Sequence, residues 1–480
     1  MRSFFLILWI FLVGAGSLHA QEFIEIDFAK IIKSDVNQGS GAANLCWLLD
    51  SDKHNTGKEQ SMYTALKEMG CGSLRFPYGH LADNYLWHTP PYENIDGGLR
   101  PKLASFSQAP AKWDWAVNSK GAFKNAMDFD EYMELCQQLE IKPLVVVNVF
   151  SYKYKNGPTF DDLIEVAVEW VKYAKKKNYK VAYWQIGNEV DHHAKLLSMA
   201  EYVDCYYKIA KAMKNEDPNI KVGPGVLSKV NYFKTIIENN PKSIDFISCH
   251  QYMWPYVKTC KNYELWKENK DDYLKNVKKM QNAVAKSSKP KLEILITETG
   301  VSPSNKGMGS SNNVYKALWY FELLMNEIHQ PNVAYSYFWG THSPWSGNKD
   351  NEKNDVAVLL RTDDNSRKPI AEVIKFVNDN ITDELVNTTR VANYIRAYTS
   401  VNTKRDKCQL FLLNKNDTPQ NISIELHQLP QGIHTFNRTE LKGKHANDKT
   451  VELVKSEQVK IKDNKLELTL TPLSITLLKN

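Results

Sequence analysis

Two carboxylates stand where apolar runs stop. Trp184-Gln185-Ile186-Gly187-Asn188-Glu189 places a glutamate directly after a β-type run, with a glycine that permits a tight exit. Leu292-Glu293-Ile294-Leu295-Ile296-Thr297-Glu298 ends a second run the same way. An Asn-Glu pair is weak by itself, since the chain has four, at Asn188, Asn215, Asn326 and Asn351, and only the first closes an apolar run. Either glutamate alone reads equally well as a solvated or structural carboxylate. Together they suggest a chemistry. Two carboxyl groups facing each other about 5–5.5 Å apart can cleave a glycosidic bond with retention, one protonating the leaving oxygen while the other attacks the anomeric carbon.

Other run ends agree. Arg75 closes Leu74-Arg75-Phe76-Pro77, where its cation would lower the pKa of a nearby carboxylate. His250 and Tyr252 close Ser248-Cys249-His250-Gln251-Tyr252 and could donate to a carboxylate or a substrate. Trp339 ends the run from Val333 and offers a flat apolar face to a sugar ring. Each has a plainer reading: His250 as a satisfied core histidine, Trp339 as core packing.

These residues need a scaffold that brings strand ends together. From about residue 40 to 380, eight short β-type runs alternate with helical stretches: Ala42–Trp47, Ser73–Phe76, Pro143–Val149, Val181–Ile186, Ile220–Val226, Ile244–His250, Leu292–Thr297 and Val333–Trp339. Phe129–Gln138, Leu163–Lys177, Met199–Asn215, Tyr273–Lys286 and Ser311–Ile328 carry apolar residues at helical spacing. Eight βα units predict a closed (β/α)8 barrel with its site at the carboxyl ends of the strands. The rival, a doubly wound open sheet, prefers a glycine-rich loop after its first strand, whereas Gly39 and Gly41 precede this one. The glutamates are 109 residues apart, the separation between the ends of strands four and seven. A long insertion from Gly79 to Asp128, with Trp87, Tyr92, Trp113 and Trp115, is expected to shape the mouth. After residue 385 the pattern becomes short, alternating and turn-bounded, predicting a β-sandwich over 385–480. The barrel is assigned to 21–384, with the run after residue 21 a candidate to join the β-domain.

These motifs resemble the superfamily of retaining barrel glycosidases whose acid/base and nucleophile follow strands four and seven. Gly187-Asn188-Glu189 matches the first signature and Thr297-Glu298 the second. The stretch Arg75-Phe76-Pro77-Tyr78-Gly79-His80 with downstream Asp83-Asn84-Tyr85-Leu86-Trp87 is most similar to α-L-arabinofuranosidases of family 51 and relatives in families 39 and 79. The sequence departs from their pattern at Tyr78-Gly79 and at Thr299-Gly300. The resemblance implies Glu189 as acid/base with a raised pKa, and Glu298 as nucleophile kept ionised by Arg75. It further implies Asn188 on the sugar 2-hydroxyl, with His250, Tyr252 and Trp339 around the ring. It calls for no cofactor and no metal. An endo-β-glycanase on the same barrel and an inactive glycan-binding barrel stand as alternatives.

Composition fits. There are 12 Trp and 24 Tyr, suited to a carbohydrate cleft, although large barrels bury many aromatics anyway. A net charge of +6 without a basic arm gives no case for nucleic acid. Seven scattered cysteines make no disulfide framework, and Cys46, Cys71, Cys136 and Cys249 read as buried thiols. Without CxxC or HExxH there is no metal motif. Arg2, the apolar run Phe4–Val13 and Leu18-His19-Ala20 predict a removed signal peptide over residues 1–20, hence a secreted or periplasmic protein with no membrane span.

Overall fold

The computed structural model describes residues 22–87, 102–103, 126–154, 157–301, 311–343, 355–389 and 391–480. The expected barrel is present. Strands Gly41–Asn44, Ser73–Phe76, Lys142–Val147, Tyr183–Ile186, Val222–Pro224, Phe246–Tyr252, Glu293–Gly300 and Val333–Phe338, the first to eighth barrel strands, lie parallel and adjacent in chain order. The eighth pairs with the first through Ser336–Phe338 against Gly41–Ala43. Between the fifth and sixth, the Asp245 amide donates to Val222 O at 2.8 Å and the Ser248 hydroxyl to Pro224 O at 2.6 Å.

Nine helices among the described residues follow the strands: α1 Met62–Met69, α2 Phe129–Gln138, α3 Phe160–Lys176, α4 Met199–Glu216, α5 Val230–Asn239, α6 Tyr263–Glu268, α7 Lys275–Ala285, α8 Val314–Ile328 and α9 Pro369–Asn378. Local chemistry starts them. Thr159 with Asp162 and Ser198 with Glu201 form capping boxes on α3 and α4, satisfying amides that the helix leaves unpaired. Asp128 caps α2, and Gly70 takes the left-handed conformation (φ 62°) that ends α1. Alternate strand residues divide two apolar layers. Ala42, Leu144, Val146, Tyr183, Phe246, Leu295 and Tyr337 fill the barrel interior, and the larger layer lies between strands and helices. Trp87 belongs to that outer layer, stacked on Trp170 at 5.8 Å with its indole N–H on Val166 O, so it does not shape the mouth. Tyr92, Trp113 and Trp115 lie outside the described residues, as do residues 1–20.

Tyr85–Leu86 and Lys102–Leu103 form a separate two-stranded pair, and the other strands make one long sheet whose main path runs 452–455, 435–442, 474–479, 408–414, 395–401, 384–388, 22–33, 420–427, 465–470. Strand Glu22–Lys33 sits inside it, antiparallel to 384–388 and parallel to 420–427. The sheet encloses its own core of Ile24, Ile26, Ile395, Leu410, Leu412, Ile422 and Leu466, while Tyr398 and Phe411 on its other face pack on Phe321 of α8. All seven cysteines are buried and free. No helix among the described residues is long and apolar enough to cross a membrane.

Barrel and sheet are joined by a buried charge cluster. Glu322 of α8 is fully buried and accepts from Arg396 Nε at 2.5 Å and from Lys415 Nζ at 3.1 Å, both from the sheet. Taking away the anion would strand two desolvated cations. Glu322→Gln is therefore expected to cost about 3–5 kcal/mol, read as a lowered melting temperature. Replacing all three residues with apolar ones of similar volume should cost far less. Equal losses for the two variants would contradict this.

The seventh barrel strand contains a bulge. Ile296 is opposite Cys249 and Glu298 opposite His250, and on the other side Ile296 to Thr299 spans only Ser336 to Phe338. One extra residue relative to both neighbours shifts the side-chain phase. Leu295 faces the interior, so strict alternation would send Thr297 inward and Glu298 toward the helices. With the bulge, Glu298 turns to the barrel axis and Thr299 outward, where its hydroxyl meets Glu327 Oε1 of α8 at 2.7 Å. Ser336 Oγ lies 2.5 Å from Glu327 Oε2. Burial without a cation pushes the Glu327 carboxyl up to about 8 from its usual 4.5. The folded chain thus holds a proton that the unfolded chain releases near 4.5, so stability should fall as pH rises from about 4.5 to about 8. Glu327→Gln should remove that part of the pH dependence and melt higher than wild type at pH 8. Parallel melting curves of the two proteins against pH would overturn this account.

Candidate active site

At the carboxyl ends of the strands the inward positions become polar. Two residues beyond inward Ala42 comes Asn44, and two beyond Ser73 comes Arg75. Beyond Phe246 come Ser248, His250 and Tyr252. Arg75 is fully buried and its guanidinium donates three ways: Nη1 to Asn44 Oδ1 at 2.7 Å and to Glu298 Oε1 at 3.0 Å, and Nη2 to Asn188 Oδ1 at 2.6 Å. Asn44 in turn donates to Thr297 O at 3.0 Å and Phe338 O at 2.9 Å, fixing the bulge from the opposite strand ends. The other Glu298 oxygen, Oε2, accepts from the Tyr252 hydroxyl at 2.9 Å. Burial and the charges of Glu298 and Glu189 push that phenol's pKa well up, so it remains a donor.

Glu189 sits just past the fourth strand with φ 44°, a left-handed conformation that costs a non-glycine residue free energy and is retained at sites that need it. Its Oε1 lies 2.7 Å from His250 Nδ1, which is 3.4 Å from Glu298 Oε2. One atom each of Glu189, His250 and Glu298 fall within 4.8 Å of one another. The two carboxylates thus approach each other closely enough to act on the two sides of one bond, as a direct nucleophile and its partner must.

The expectation of a raised pKa for Glu189 is corrected here. Burial acts in that direction, but the His250 hydrogen bond, and the positive charge of His250 and His80, hold the carboxyl well below its ordinary value. Nothing in the sequence near Glu189 announced those imidazoles, because they arrive from other strand ends.

Trp339 is partly exposed at the rim, with Tyr78 at 4.8 Å and Tyr252 at 6.3 Å between ring centres. Gly79 lets this wall close on the carboxylate: a Cβ there would lie 2.6 Å from Glu298 Oε1 and 3.0 Å from Trp339. Tyr78 beside it has φ 98°. Seven predicted residues, Arg75, Asn188, Glu189, His250, Tyr252, Glu298 and Trp339, are therefore joined in one network of contacts at the strand ends. Sequence reasoning missed Asn44, though it ends the first strand as Arg75 ends the second. It also missed His80, whose Nε2 is 3.4 Å from Glu189 Oε2, and its neighbours Asp83 (3.6 Å) and His193 (3.2 Å) on Nδ1. These sit on turns where no periodicity marks them.

Residues 65–272 match the family described as Alpha-L-arabinofuranosidase 1 domain. An intracellular exo-alpha-(1->5)-L-arabinofuranosidase of Acetivibrio thermocellus is 22% identical over 48% of this chain and 45% of its own length. A probable alpha-L-arabinofuranosidase C of Aspergillus fumigatus is 30% identical over 35% of this chain and 32% of its own. The chain thus spans less than half the length of these relatives. A GH51 alpha-L-arabinofuranosidase structure from Thermotoga petrophila shares the fold, with a TM-score of 0.72 at 16% identity over 96% of this chain and 100% of that one.

The expectation of export is overturned by the same relatives. Those from Acetivibrio thermocellus, Bifidobacterium longum and Streptomyces lividans are named intracellular enzymes. A short apolar run after one arginine is a compositional cue, equally compatible with a buried segment. The resemblance carried by the motifs is thus shared by the family match and by these relatives, and the (β/α)8 barrel and β-sandwich are the fold of the solved arabinofuranosidase structures.

Proposed function

We propose that the protein hydrolyses α-L-arabinofuranosides with retention, using Glu298 as nucleophile and Glu189 as acid/base. The observation that carries the reading is the pair of buried carboxylates with atoms within 4.8 Å, Glu298 held by Arg75 and Tyr252 and Glu189 by His250, which lies between them. Glu298 takes two donors, Arg75 and Tyr252, that orient an ionised oxygen toward an anomeric carbon. As it attacks, the bond from that carbon to the leaving oxygen breaks and Glu189 gives the oxygen a proton. Water then loses a proton to Glu189 and displaces Glu298 from the glycosyl ester. Glu189 must therefore be protonated when substrate is bound, against the field of His250 and His80. A leaving oxygen against Oε2, where His80 now lies at 3.4 Å, would replace a cationic neighbour with a neutral acceptor.

Asn188 supports recognition. Its Oδ1 is engaged by Arg75 while its Nδ2, buried, has no protein partner, leaving a donor for the sugar 2-hydroxyl. Trp339 and Tyr78 supply the apolar wall. The arabinofuranoside rests on the family match and on the names of the relatives. No observation at the site favours an endo-glycanase or an inactive barrel.

Aryl α-L-arabinofuranosides of graded leaving-group pKa test both roles. Glu298→Ala should lose at least 10³-fold in kcat on all of them. Glu189→Ala should lose as much on poor leaving groups but keep much of the first step on good ones, with azide restoring turnover as a glycosyl azide of retained configuration. Equal losses across the series for both variants would contradict the assignment. Gly79→Ala should lose 10-fold or more in kcat/KM, because its methyl would lie 2.6 Å from Glu298 Oε1 and force the carboxylate to shift; wild-type kcat/KM would argue against a tightly fixed carboxylate.

A further inference from the structure

On the side of Glu189 away from Glu298, three side chains converge. His80 and Asp83 come from the short 3-10 helix His80–Asp83 after the second strand, and His193 from the turn after Glu189. His80 Nδ1 and His193 Nε2 face each other at 3.2 Å, and Asp83 Oδ2 is 3.6 Å from the same His80 nitrogen. All three donor atoms lie within 4.8 Å of one another. Two imidazole nitrogens at that distance repel unless a proton or a cation lies between them. Asp83 is 4% exposed, and its second oxygen, Oδ1, has no protein hydrogen-bond partner.

We propose that His80, Asp83 and His193 bind one divalent transition ion of the zinc type. Ligands on a tetrahedral ion about 2.0–2.1 Å from each nitrogen stand ~3.3 Å apart, close to the spacing of the two imidazoles. Two imidazoles with one carboxylate suit zinc, cobalt, nickel or copper rather than calcium or magnesium, which take oxygen shells. The outer contact also fits. A metal-bound histidine gives its other N–H to a carboxylate, and His80 Nε2 faces Glu189 Oε2 at 3.4 Å. The His80 side chain is 40% exposed, which leaves a solvent side for water or a further ligand.

Occupancy would bear on the reaction, a consequence that rests on the proposed role of Glu189. An ion on Nδ1 fixes the Nε2–H of His80 against Glu189, adds positive charge beside it and opposes its protonation. Such an ion would inhibit.

The test is metal binding by the full-length, chelator-dialysed protein, with zinc titrated by calorimetry and cobalt by its visible spectrum. Expected are one zinc per chain, an intense low-coordinate cobalt band, and at least tenfold weaker binding in His193→Asn and in Asp83→Asn. His192→Asn, altering the exposed neighbour, should bind as wild type does. His250→Asn should also retain the site; loss of binding there would move the ion to the Glu189, His250 and Glu298 cluster and overturn the proposal. So would wild-type affinity in His193→Asn, or no binding at all, which would leave a proton between the imidazoles. Binding is read without substrate, so a failure of the arabinofuranosidase reading leaves it intact. If hydrolysis is found, zinc should depress it reversibly in wild type and at least tenfold less potently in His193→Asn; binding without inhibition overturns the link to Glu189.

Discussion

A buried guanidinium organises the site. Arg75 has no solvent contact, and its charge is compensated by Glu298 while Asn44 and Asn188 accept two further hydrogen bonds from it. A desolvated cation with one anionic partner in reach holds that partner firmly, because parting them would leave a charge in a low-dielectric interior. Its three acceptors come from the first strand, the fourth and the seventh, so one side chain ties together strand ends that are far apart in sequence. Arg75 can reach them only because it points inward two residues above Ser73, at the level where apolar packing gives way to polar groups.

The bulge is the backbone counterpart of that interaction. Regular pleating would bury Glu298 among the helices, where nothing would neutralise it. The extra residue turns it toward Arg75 and turns Thr299 onto Glu327, and Asn44 braces the carbonyl of Thr297 between. Gly79 then allows the wall carrying Trp339 to close within contact of the carboxylate. Residues at the site are over-determined by their surroundings, which is how Glu189 keeps a left-handed backbone and Tyr78 a positive φ.

What could be read from the sequence follows from this construction. Each barrel strand is a short apolar run, buried on both faces, so all eight were legible, and so were the residues that close them. Glu189, Glu298 and Arg75 stood out because a charge at the end of such a run is costly without a purpose. Within the β-domain, strand 435–442 is hard to read because Thr-Phe-Asn-Arg-Thr-Glu-Leu-Lys alternates weakly and is part exposed. The short helices α1, α5, α6 and α9 passed unnoticed within connections. The bulge could not be read at all, since register is a property of three strands together. His80, Asp83 and His193 lie on turns, where spacing carries no periodic signal, and their effect on Glu189 was invisible until the loops were in place.

The central claim is that Glu298, fixed by Arg75 and Tyr252, forms a covalent bond to the sugar. The direct measurement is mass spectrometry of Glu189→Ala quenched during turnover of an aryl α-L-arabinofuranoside with a good leaving group. The account predicts that the protein gains the mass of one pentosyl unit and that fragmentation places it on the Glu298 carboxylate. Substrate consumption without an adduct, or an adduct on another residue, would contradict it.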